Sequence, residues 1–563
     1  MKMLGKILKW MAIGFFTLLI ILVAASYMLY LSADMKQPDL HVSDLPELPL
    51  SITDSLRSYG DNTLILNQQG LWELYVKGGP FERGVAIGRV SEDLLYYQEK
   101  VFVDEIKQII PSEKYLKFLR YFLVIFNRNL GKQVPEENRE EIYGISLSCT
   151  DEFDAIGTPY ERQLNYHAAH DIGHMMQAYM LVGCSSFGAW GNESADSTLI
   201  IGRNFDFYVG DDFARNKVVA FYSPDKGYKF ASVCWIGMTG VLSGMNEAGL
   251  TVTINASQAS VPTGSATPIS ILARMILQYA STIDEAYKIA EAHKTFVAES
   301  LLIGSAKDGR AVIIEKSPHK IGMYQSSSER IVCTNHYQSD VFGNDPGNLE
   351  NIRTSDSDYR FRRVNELLDR VGKVDPATAA GILRDTLGVG DKLIGLTNEK
   401  SLNQFIAHHS VIFKPRELKM WVTTTPWQMG EFVMYDLGEI FGKMDSTYIT
   451  VSGVDTAQII PADGGVTSGT YTRVLVYRRL KDTISHAIKN GETVDRKELE
   501  LFEQTNADYY YTYELLGDYY FSQDNPAEAF GYWLAALAKE IPRLGDKENI
   551  EKKIRKIDHN FVR

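Results

Sequence analysis

The feature that most limits the possible folds is a series of short apolar runs that begins near Val182. The runs are rich in Val, Ile and aromatic residues and are separated by turn residues, a pattern that predicts strands. Longer segments with helical periodicity lie between them. Strands are predicted at residues 198–202, 217–222, 229–236, 249–254, 301–304, 311–315 and 330–333, and helices at 268–280, 283–292 and 358–371. Because these elements do not alternate as regular βαβ units, we expect an α+β fold with layers in the order αββα.

The N-terminal residues carry a second strong pattern. Three lysines precede residues 11–31, which are apolar and uncharged. About 20 such residues are enough to span a bilayer, so we predict a transmembrane helix. A signal peptide cleaved near residues 24–26 is the alternative, but the apolar run continues beyond that point. Since the lysines are expected to stay in the cytoplasm, the rest of the chain is predicted on the periplasmic or extracellular side of the membrane.

Composition excludes several classes of function. The net charge is -13 without long blocks of one sign, so nucleic acid is not an expected partner. The 4 cysteines lack CxxC spacing, which argues against a zinc knuckle or a disulfide-rich scaffold. His170 and His174 have the spacing of a helical metal site and His167 lies nearby, but the Glu of an HExxH motif is missing. We expect these histidines to pack a helix, and we predict neither a metal nor a cofactor.

Six short motifs follow one another between residues 182 and 437. They are Gly183-Cys184-Ser185-Ser186, Gly202-Arg203-Asn204-Phe205-Asp206, GMNEAGL at 244–250, Ile254-Asn255-Ala256, Thr334-Asn335-His336 and Tyr359-Arg360-Phe361-Arg362. In this order they resemble the choloylglycine hydrolase and penicillin acyltransferase superfamily, which includes acid ceramidase-like amidases. Each motif alone is weak, whereas the ordered series is specific. The resemblance implies a four-layer αββα N-terminal-nucleophile hydrolase fold.

Cys184 is the predicted nucleophile. A thiol attacks amides as the thiolate, and with an ordinary pKa of about 8.5 it needs a base beside it. The cysteine's own α-amine is such a base, but only after the Gly183–Cys184 bond is cut, because an amide nitrogen is not basic. The resemblance implies that the cysteine makes this cut itself. A long segment precedes Cys184, which favours the acyltransferase and ceramidase branch over the bile salt hydrolases.

The resemblance also implies roles for residues around the new N terminus. Asp206 is expected to accept a hydrogen bond from the α-amine, with Arg203 as its charged neighbour, and Asn335 to hold the amine. A structural ion pair between Arg203 and Asp206 at a strand end is the alternative, and for Asn335 the alternative is a residue of the turn after a strand.

Two further positions carry over from the same resemblance. Asn255 is expected to donate to the oxyanion of the tetrahedral intermediate, although it also suits a strand-ending turn. Arg360 is expected to stabilise the site, and Arg362 and Arg363 lie close enough in the sequence to compete for that role.

The chain is predicted to contain five regions. They are a membrane anchor at 1–34, a linker at 35–60, a helical pro-region at 61–183, the hydrolase domain at 184–443 and a helical C-terminal region at 475–563. The last region contains one unit with tetratricopeptide-like spacing, formed by Tyr513, Leu516, Gly517, Tyr520, Ala529, Trp533 and Ala536. A single unit cannot bury both its faces, so we expect a helical cap on the catalytic body; a docking surface for a protein partner is the alternative.

The predicted reaction is hydrolysis of the C–N bond of a small-molecule N-acyl amide, or transfer of its acyl group. Hydrolysis is favoured because water is always present. Aromatic residues around Phe207 and Trp235 are expected either to line an acyl pocket or to belong to the core. Two other functions stay open: a membrane-tethered binding module with an inert hydrolase body, and a cysteine peptidase that pairs Cys184 with His336.

Overall fold

The computed structural model of the chain describes residues 2–32, 35–109, 112, 121, 124–125, 127–167, 181–258, 266–295, 297–446 and 448–561. The strands are β1 (Leu50–Ile52), β2 (Leu56–Tyr59), β3 (Asn62–Leu66), β4 (Trp72–Gly78), β5 (Leu181–Ala189), β6 (Ile200–Tyr208), β7 (Lys217–Pro224), β8 (Phe230–Trp235), β9 (Ser243–Asn246), β10 (Leu250–Ala256), β11 (Glu299–Ser305), β12 (Arg310–Lys316), β13 (Ile321–Tyr324), β14 (Arg330–Cys333), β15 (Ala407–Lys414), β16 (Lys419–Thr423), β17 (Phe432–Asp436) and β18 (Val454–Ile460).

The α-helices of the described residues lie before, between and after these strands. They are α1 (Lys2–Leu31), α2 (Pro80–Ile109), α3 (Leu130–Gln133), α4 (Glu136–Ser146), α5 (Pro159–His167), α6 (Ile269–Tyr279), α7 (Ile283–Ala292), α8 (Pro346–Thr354), α9 (Ser357–Val371), α10 (Pro376–Leu383), α11 (Leu437–Ser446), α12 (Gly464–Thr467), α13 (Thr470–Asn490), α14 (Arg496–Thr505), α15 (Tyr510–Ser522), α16 (Pro526–Leu537) and α17 (Leu544–Phe561).

Within the described residues the strands form two sheets. The larger has 11 strands in the order β1-β2-β3-β4-β7-β8-β9-β10-β11-β12-β13, and the smaller has 7 in the order β14-β5-β6-β15-β16-β17-β18. Of these pairings, that of β4 with β7 is parallel and the others are antiparallel. The strands predicted from the apolar runs coincide with β6 to β8, β10 to β12 and β14, and the predicted helices with α6, α7 and α9.

The two sheets stack face to face between layers of helices. Successive side chains of a strand point to opposite faces, and this alternation separates the cores. Ile313 and Val411 belong to the core between the sheets, whereas Val312 packs with α2, α4, α6 and α7 on one outer face. Ile412 packs with α9 and α10 on the other outer face. The predicted α+β class is confirmed, and the observed layers follow the order helices, sheet, sheet, helices.

The prediction of a transmembrane anchor is wrong. The N-terminal stretch does form a helix, α1. Among the described residues, however, no helix combines the length and the apolar character that a bilayer crossing requires, which is about 20 continuous apolar residues. The predicted single-pass topology and the predicted periplasmic or extracellular location both depend on that crossing, and they are therefore not supported either.

The stretch before Cys184 is helical only in part. Residues 50–78, which were expected to be linker and the start of a helical region, form β1 to β4 and extend the larger sheet through β4 and β7. Strands buried on both faces read as short continuous apolar runs rather than as an alternating pattern. The short apolar runs at 64–66 and 74–76 lie in two such strands.

The C-terminal helices pack against the catalytic body. Helices α15 and α16 approach closely at Gly517, where an added Cβ would lie 2.4 Å from the Trp533 ring. The region is joined to the body through Glu540, whose carboxylate accepts hydrogen bonds from Lys392 and Lys400 at 2.6 Å each. This packing is that of the expected helical cap; a docking surface for a protein partner stays a prediction.

Candidate active site

Cys184 lies inside the smaller sheet, on β5, with β14 on one side and β6 on the other. In the β5–β6 register Gly183 faces Asp206 and Cys184 faces Phe205. On its other side β6 pairs with β15, where Phe205 faces His409. The predicted cleavage bond is therefore held in the extended backbone of a central strand, and the Cys184 side chain is fully buried.

The sulfur of Cys184 is contacted by a buried cation. Arg203 Nη2 lies 3.7 Å from Cys184 Sγ, and its guanidinium stacks over the Phe205 ring, 4.4 Å from the centroid. Burial raises the pKa of the Cys184 thiol, while the positive charge of Arg203 acts in the opposite direction. The intact chain thus holds a protonated thiol beside the cation that favours its thiolate.

The backbone of Cys184 is held on both sides. Its amide nitrogen donates to Asn335 Oδ1 at 3.0 Å, and its carbonyl oxygen accepts from Arg360 Nη1 at 2.6 Å. Arg360 Nη2 also donates to Asn335 Oδ1, at 2.6 Å, and to Asp356 Oδ1, at 2.7 Å. Asn335 and Arg360, predicted as separate contributors, form one clamp on Cys184, the predicted nucleophile. Arg362 and Arg363 instead pair with carboxylates elsewhere, at Asp358 and Asp385.

Asp206 is a fully buried carboxylate without a hydrogen-bond partner among the described residues. Burial raises its pKa to about 7, against the lowering effect of Arg360 and, to a smaller extent, Arg203. Buried polar atoms are nearly always satisfied, so an unsatisfied pair of oxygens needs an explanation. Arg203 contacts the cysteine sulfur and does not form the ion pair that was the alternative interpretation, while Asp206 faces Gly183 across the strand pair. Both oxygens of this carboxylate are thus left without a donor among the described residues.

Asn255 lies near the site but its polar atoms are occupied. Its Nδ2 donates to the carbonyl oxygens of Cys333 at 3.0 Å and Thr334 at 3.3 Å, and its Oδ1 accepts from Ser186 Oγ at 2.9 Å. An oxyanion donor must point an unoccupied N–H at the reacting centre. In this structure Asn255 therefore links β10 to the end of β14. It could act as the predicted oxyanion donor only after its side chain had changed partners.

Of the three histidines with metal-like spacing, His167 lies within the described residues. His167 is buried, its Nε2 accepts from the backbone nitrogen of Thr239 at 2.9 Å, and its Nδ1 lies 2.7 Å from the carbonyl oxygen of Gln163. Burial lowers its pKa to about 4. His170 and His174 lie outside the described residues. His167 is accordingly a satisfied core histidine.

His336 gives the cysteine peptidase alternative no support. Its Nδ1 lies 2.8 Å from Ser357 Oγ, and its ring packs edge-on against Phe361 with centroids 5.4 Å apart. Burial lowers its pKa to about 4. The imidazole therefore hydrogen-bonds at the start of α9 and not with the cysteine.

One cavity is lined by residues of the site, and a second, which none of them lines, contains the aromatic residues predicted for an acyl pocket. The second has a volume of about 30 Å³, and in its wall Trp235 packs against Phe207 and Phe213 with centroids 5.9 and 5.0 Å apart. The first, about 420 Å³, is polar and is lined by Asn335, Arg360 and the start of α17. Only the polar cleft is thus large enough for a small molecule as the structure stands.

Several residues of the site were missed from the sequence. Asp356 lies four positions before Arg360, the spacing of a helical ion pair, and this signal was available. Ser243, His408 and His409 surround Arg203, but they match none of the six motifs. No sequence pattern singles them out, because tertiary packing alone brings them together.

Residues 192–425 match the family of acyl-coenzyme A:6-aminopenicillanic acid acyl-transferase. The predicted resemblance is confirmed. The family match supports an acyltransferase or amide hydrolase of the N-terminal-nucleophile type. It begins after Cys184, so it leaves the nucleophile and the cleavage untested.

Two curated proteins are related to this chain. A protein of Archaeoglobus fulgidus described as uncharacterized is 25% identical over 273 residues, which cover 45% of this chain and 45% of that protein. Protein dcd1A of Dictyostelium discoideum is 26% identical over 307 residues, 47% of this chain and 64% of that protein. The chain thus spans about half the length of one relative and under two thirds of the other.

Solved structures with some similarity include two hydrolases. One is the Caenorhabditis elegans ortholog of N-acylethanolamine-hydrolyzing acid amidase, at 16% identity and a TM-score of 0.30, with 41% of this chain and 93% of that chain covered. The other is a mutant of the conjugated bile acid hydrolase from Clostridium perfringens, at 13% identity and a TM-score of 0.31, with 45% and 93% covered. Likeness at this level carries no argument about function.

Crowding at Gly183 leads to a first prediction. Gly183 lies in extended strand backbone, and an added Cβ would lie 3.0 Å from Gln404 Nε2 and 3.7 Å from Arg360 Nη2. A Gly183→Val variant should displace Arg360 from the Cys184 carbonyl and slow cleavage of the 183–184 bond about tenfold, since overpacking typically costs about 1–3 kcal/mol. The measurement is the rate at which the precursor band disappears on a denaturing gel.

The matched control for this prediction is Gly188→Val on the same strand. An added Cβ at Gly188 would lie 3.3 Å from the Ile331 side chain, a comparable degree of crowding away from the clamp. Equal slowing in both variants would mean that general strain in β5, not displacement of Arg360, limits cleavage.

Proposed function

We propose that the chain is a self-activating amide hydrolase in which Cys184, freed as a new N terminus, cleaves the C–N bond of N-acyl amides. The observation that carries the proposal is the arrangement about one peptide bond. Arg203 approaches the sulfur of Cys184, Asn335 accepts from its backbone nitrogen, and the unsatisfied carboxylate of Asp206 faces the preceding glycine.

Activation proceeds in two balanced steps. The Cys184 sulfur attacks the Gly183 carbonyl carbon, the C–N bond breaks, and the nitrogen takes the proton that the thiol loses, which leaves a thioester and a free amine. Water then hydrolyses the thioester to the Gly183 carboxylate and the thiol. The amine formed in the first step is the donor that suits Asp206, and Asn335 is already placed to keep it beside the sulfur.

Turnover repeats this chemistry on a substrate. The α-amine takes the thiol proton, the thiolate attacks the amide carbonyl, and the departing amine of the substrate receives that proton. Water then releases the acyl group as a carboxylic acid. The polar cleft of about 420 Å³ beside Asn335 suits the polar part of the substrate. The aromatic cavity, at about 30 Å³, would have to widen to take an acyl group. Transfer of the acyl group to a second amine would use the same intermediate.

The decisive experiment is mass spectrometry and N-terminal sequencing of purified, catalytically competent protein. We expect two associated fragments, the second beginning at Cys184, and labelling of that residue by a cysteine-reactive acyl probe. Fully active enzyme in which residues 183 and 184 are still joined would overturn the proposal. An intact chain that is neither cut nor labelled would favour an inert body with a binding role.

A further inference from the structure

A β-bulge at the start of β15 turns two consecutive histidines toward the same interior region. In the pairing of β15 with β6, Ala407 faces Asp206 and His409 faces Phe205, so His408 is the extra residue. Successive side chains of a regular strand point to opposite faces. The bulge breaks this alternation, and as a result His408 Nδ1 lies 2.9 Å from His409 Nδ1. Both rings are fully buried.

The contacts of His409 determine which of its ring nitrogens carries the proton. Arg203 Nη1 donates to Ser243 Oγ and lies 3.3 Å from His409 Nε2. Ser243 Oγ lies 2.8 Å from the same nitrogen. Arginine can only donate, so His409 Nε2 accepts in its contact with Arg203 Nη1. Ser243 Oγ accepts from Arg203 as well, and its hydroxyl hydrogen is free to donate to the same His409 nitrogen. This nitrogen is therefore an acceptor, and the proton of a neutral His409 is on Nδ1.

The same reasoning assigns the tautomer of His408. Since His409 Nδ1 donates, His408 Nδ1 accepts, and the proton of His408 is on Nε2. Burial keeps both imidazoles neutral and lowers the pKa of His408 to about 3, and the neighbouring charges of Lys217 and Arg203 act in the same direction. A neutral ring with a fixed acceptor can hold a guanidinium without repelling it, whereas an imidazolium could not.

We propose that His409, fixed by His408 and assisted by Ser243, is a positioning residue for Arg203, which the backbone carbonyl oxygens of Leu242 and Ile254 also hold beside the sulfur of Cys184. The chain of contacts runs from His408 through His409 and Ser243 to Arg203, whose other terminal nitrogen lies 3.7 Å from the sulfur. His409 does not touch the reacting atoms. Its contribution is to fix one end of a guanidinium whose other end faces the nucleophile, and it rests on the proposed function of Cys184.

Three substitutions of His409 distinguish a role of its hydrogen-bond acceptor from a role in packing alone. His409→Gln can place an amide oxygen where Nε2 was, His409→Asn places its amide near Nδ1 and cannot reach Arg203, and His409→Leu has no acceptor. Misplacing a catalytic group by about 1 Å can cost about 100-fold. We expect kcat for N-acyl amide hydrolysis to fall about 10- to 100-fold in the Asn and Leu variants, with KM within about twofold, and to recover substantially in the Gln variant.

A second readout tests the same inference without substrate. The rate of Cys184 alkylation by iodoacetamide, followed by mass spectrometry against pH, should show a higher apparent thiol pKa in the Leu and Asn variants than in the Gln variant. Thermal unfolding of all three variants shows whether they are folded.

Failure of this inference and failure of the proposed function are distinguishable. Equal kcat values and equal alkylation profiles in the Gln, Asn and Leu variants would assign His409 to packing alone and overturn the inference, while a wild-type enzyme that is cut at Cys184 and active would leave the proposed function intact. A wild-type chain that is neither cut nor active would overturn both.

Discussion

Replacing Cys184 with alanine should leave an uncut 63.4 kDa chain that is catalytically silent. Alanine offers no nucleophile for the Gly183 carbonyl, so neither the fragments nor the α-amine form. Removal of a covalent nucleophile costs on the order of 10⁶-fold in turnover in a well-studied hydrolase, and we expect a loss of similar size for N-acyl amide hydrolysis. Intact-mass measurement and a substrate assay check the two parts separately. Cys184→Ser should be cut slowly and turn over poorly.

The control for this prediction is Cys234→Ala on β8. Cys234 is as deeply buried as Cys184, and burial raises its thiol pKa to about 12. It lies on the other sheet. The Cys234 variant should be cut and active, with a small loss of stability from the lost buried atom. Full amidase activity in the Cys184→Ala variant would end the proposed mechanism.

Much of the fold after Val182 could be predicted because its strands are buried on one or both faces. Residues 311–314 and 218–222 are continuous apolar runs, and each lies in a strand at nearly the expected position. The strands at 62–66 and 72–78 contain shorter apolar runs, at 64–66 and 74–76, and belong to the segment predicted as a helical pro-region. Periodicity alone does not separate a short buried strand from a buried helix, and their pairing with β7 is a long-range contact that local pattern does not reveal.

The candidate site was predictable where a motif marks the residue and unpredictable where only packing does. Cys184, Arg203, Asn335 and Arg360 were named from their motifs, and they meet around one peptide bond. His409 was missed because its place depends on a one-residue bulge, and it lies 206 positions after the arginine that it contacts. A bulge depends on the register of two strands, and register is fixed by the whole sheet.

The positions of the charged side chains Arg203 and Asp206 also depend on the sheet and not on the motif alone. A structural ion pair between Arg203 and Asp206 is the alternative that the sequence leaves open, because these opposite charges lie three residues apart. In the sheet, however, these two side chains point to opposite faces, as residues at odd spacing on a strand must. Arg203 therefore reaches the sulfur, and Asp206 is left on the face where Arg360 enters. Because of this separation the Asp206 carboxylate is buried without a hydrogen-bond partner among the described residues. Such a carboxylate lowers the free energy of unfolding.

Asp206→Asn should lower turnover and raise stability at the same time. Loss of the carboxylate removes the acceptor for the new α-amine, and removal of one such polar group typically costs about 100- to 1000-fold in rate. In the uncut chain, burial raises the pKa of Asp206 to about 7, above the value of about 3.9 expected when unfolded. The folded state therefore holds the proton more tightly, and the carboxylate reduces stability increasingly as pH rises from about 4 to about 7.

Stability is best compared in the uncleavable Cys184→Ala background, where both chains keep the same covalent structure. The Asn variant should have a higher free energy of unfolding at pH 8, by an amount on the order of a few kcal/mol, and the difference should shrink towards pH 4 because Asp206 is then protonated in the folded chain. Urea unfolding at the two pH values gives this difference directly. An unchanged turnover would remove Asp206 from its proposed role. A missing stability gain at pH 8 would show that the carboxylate is already satisfied, so the buried acceptor awaiting an amine would not exist.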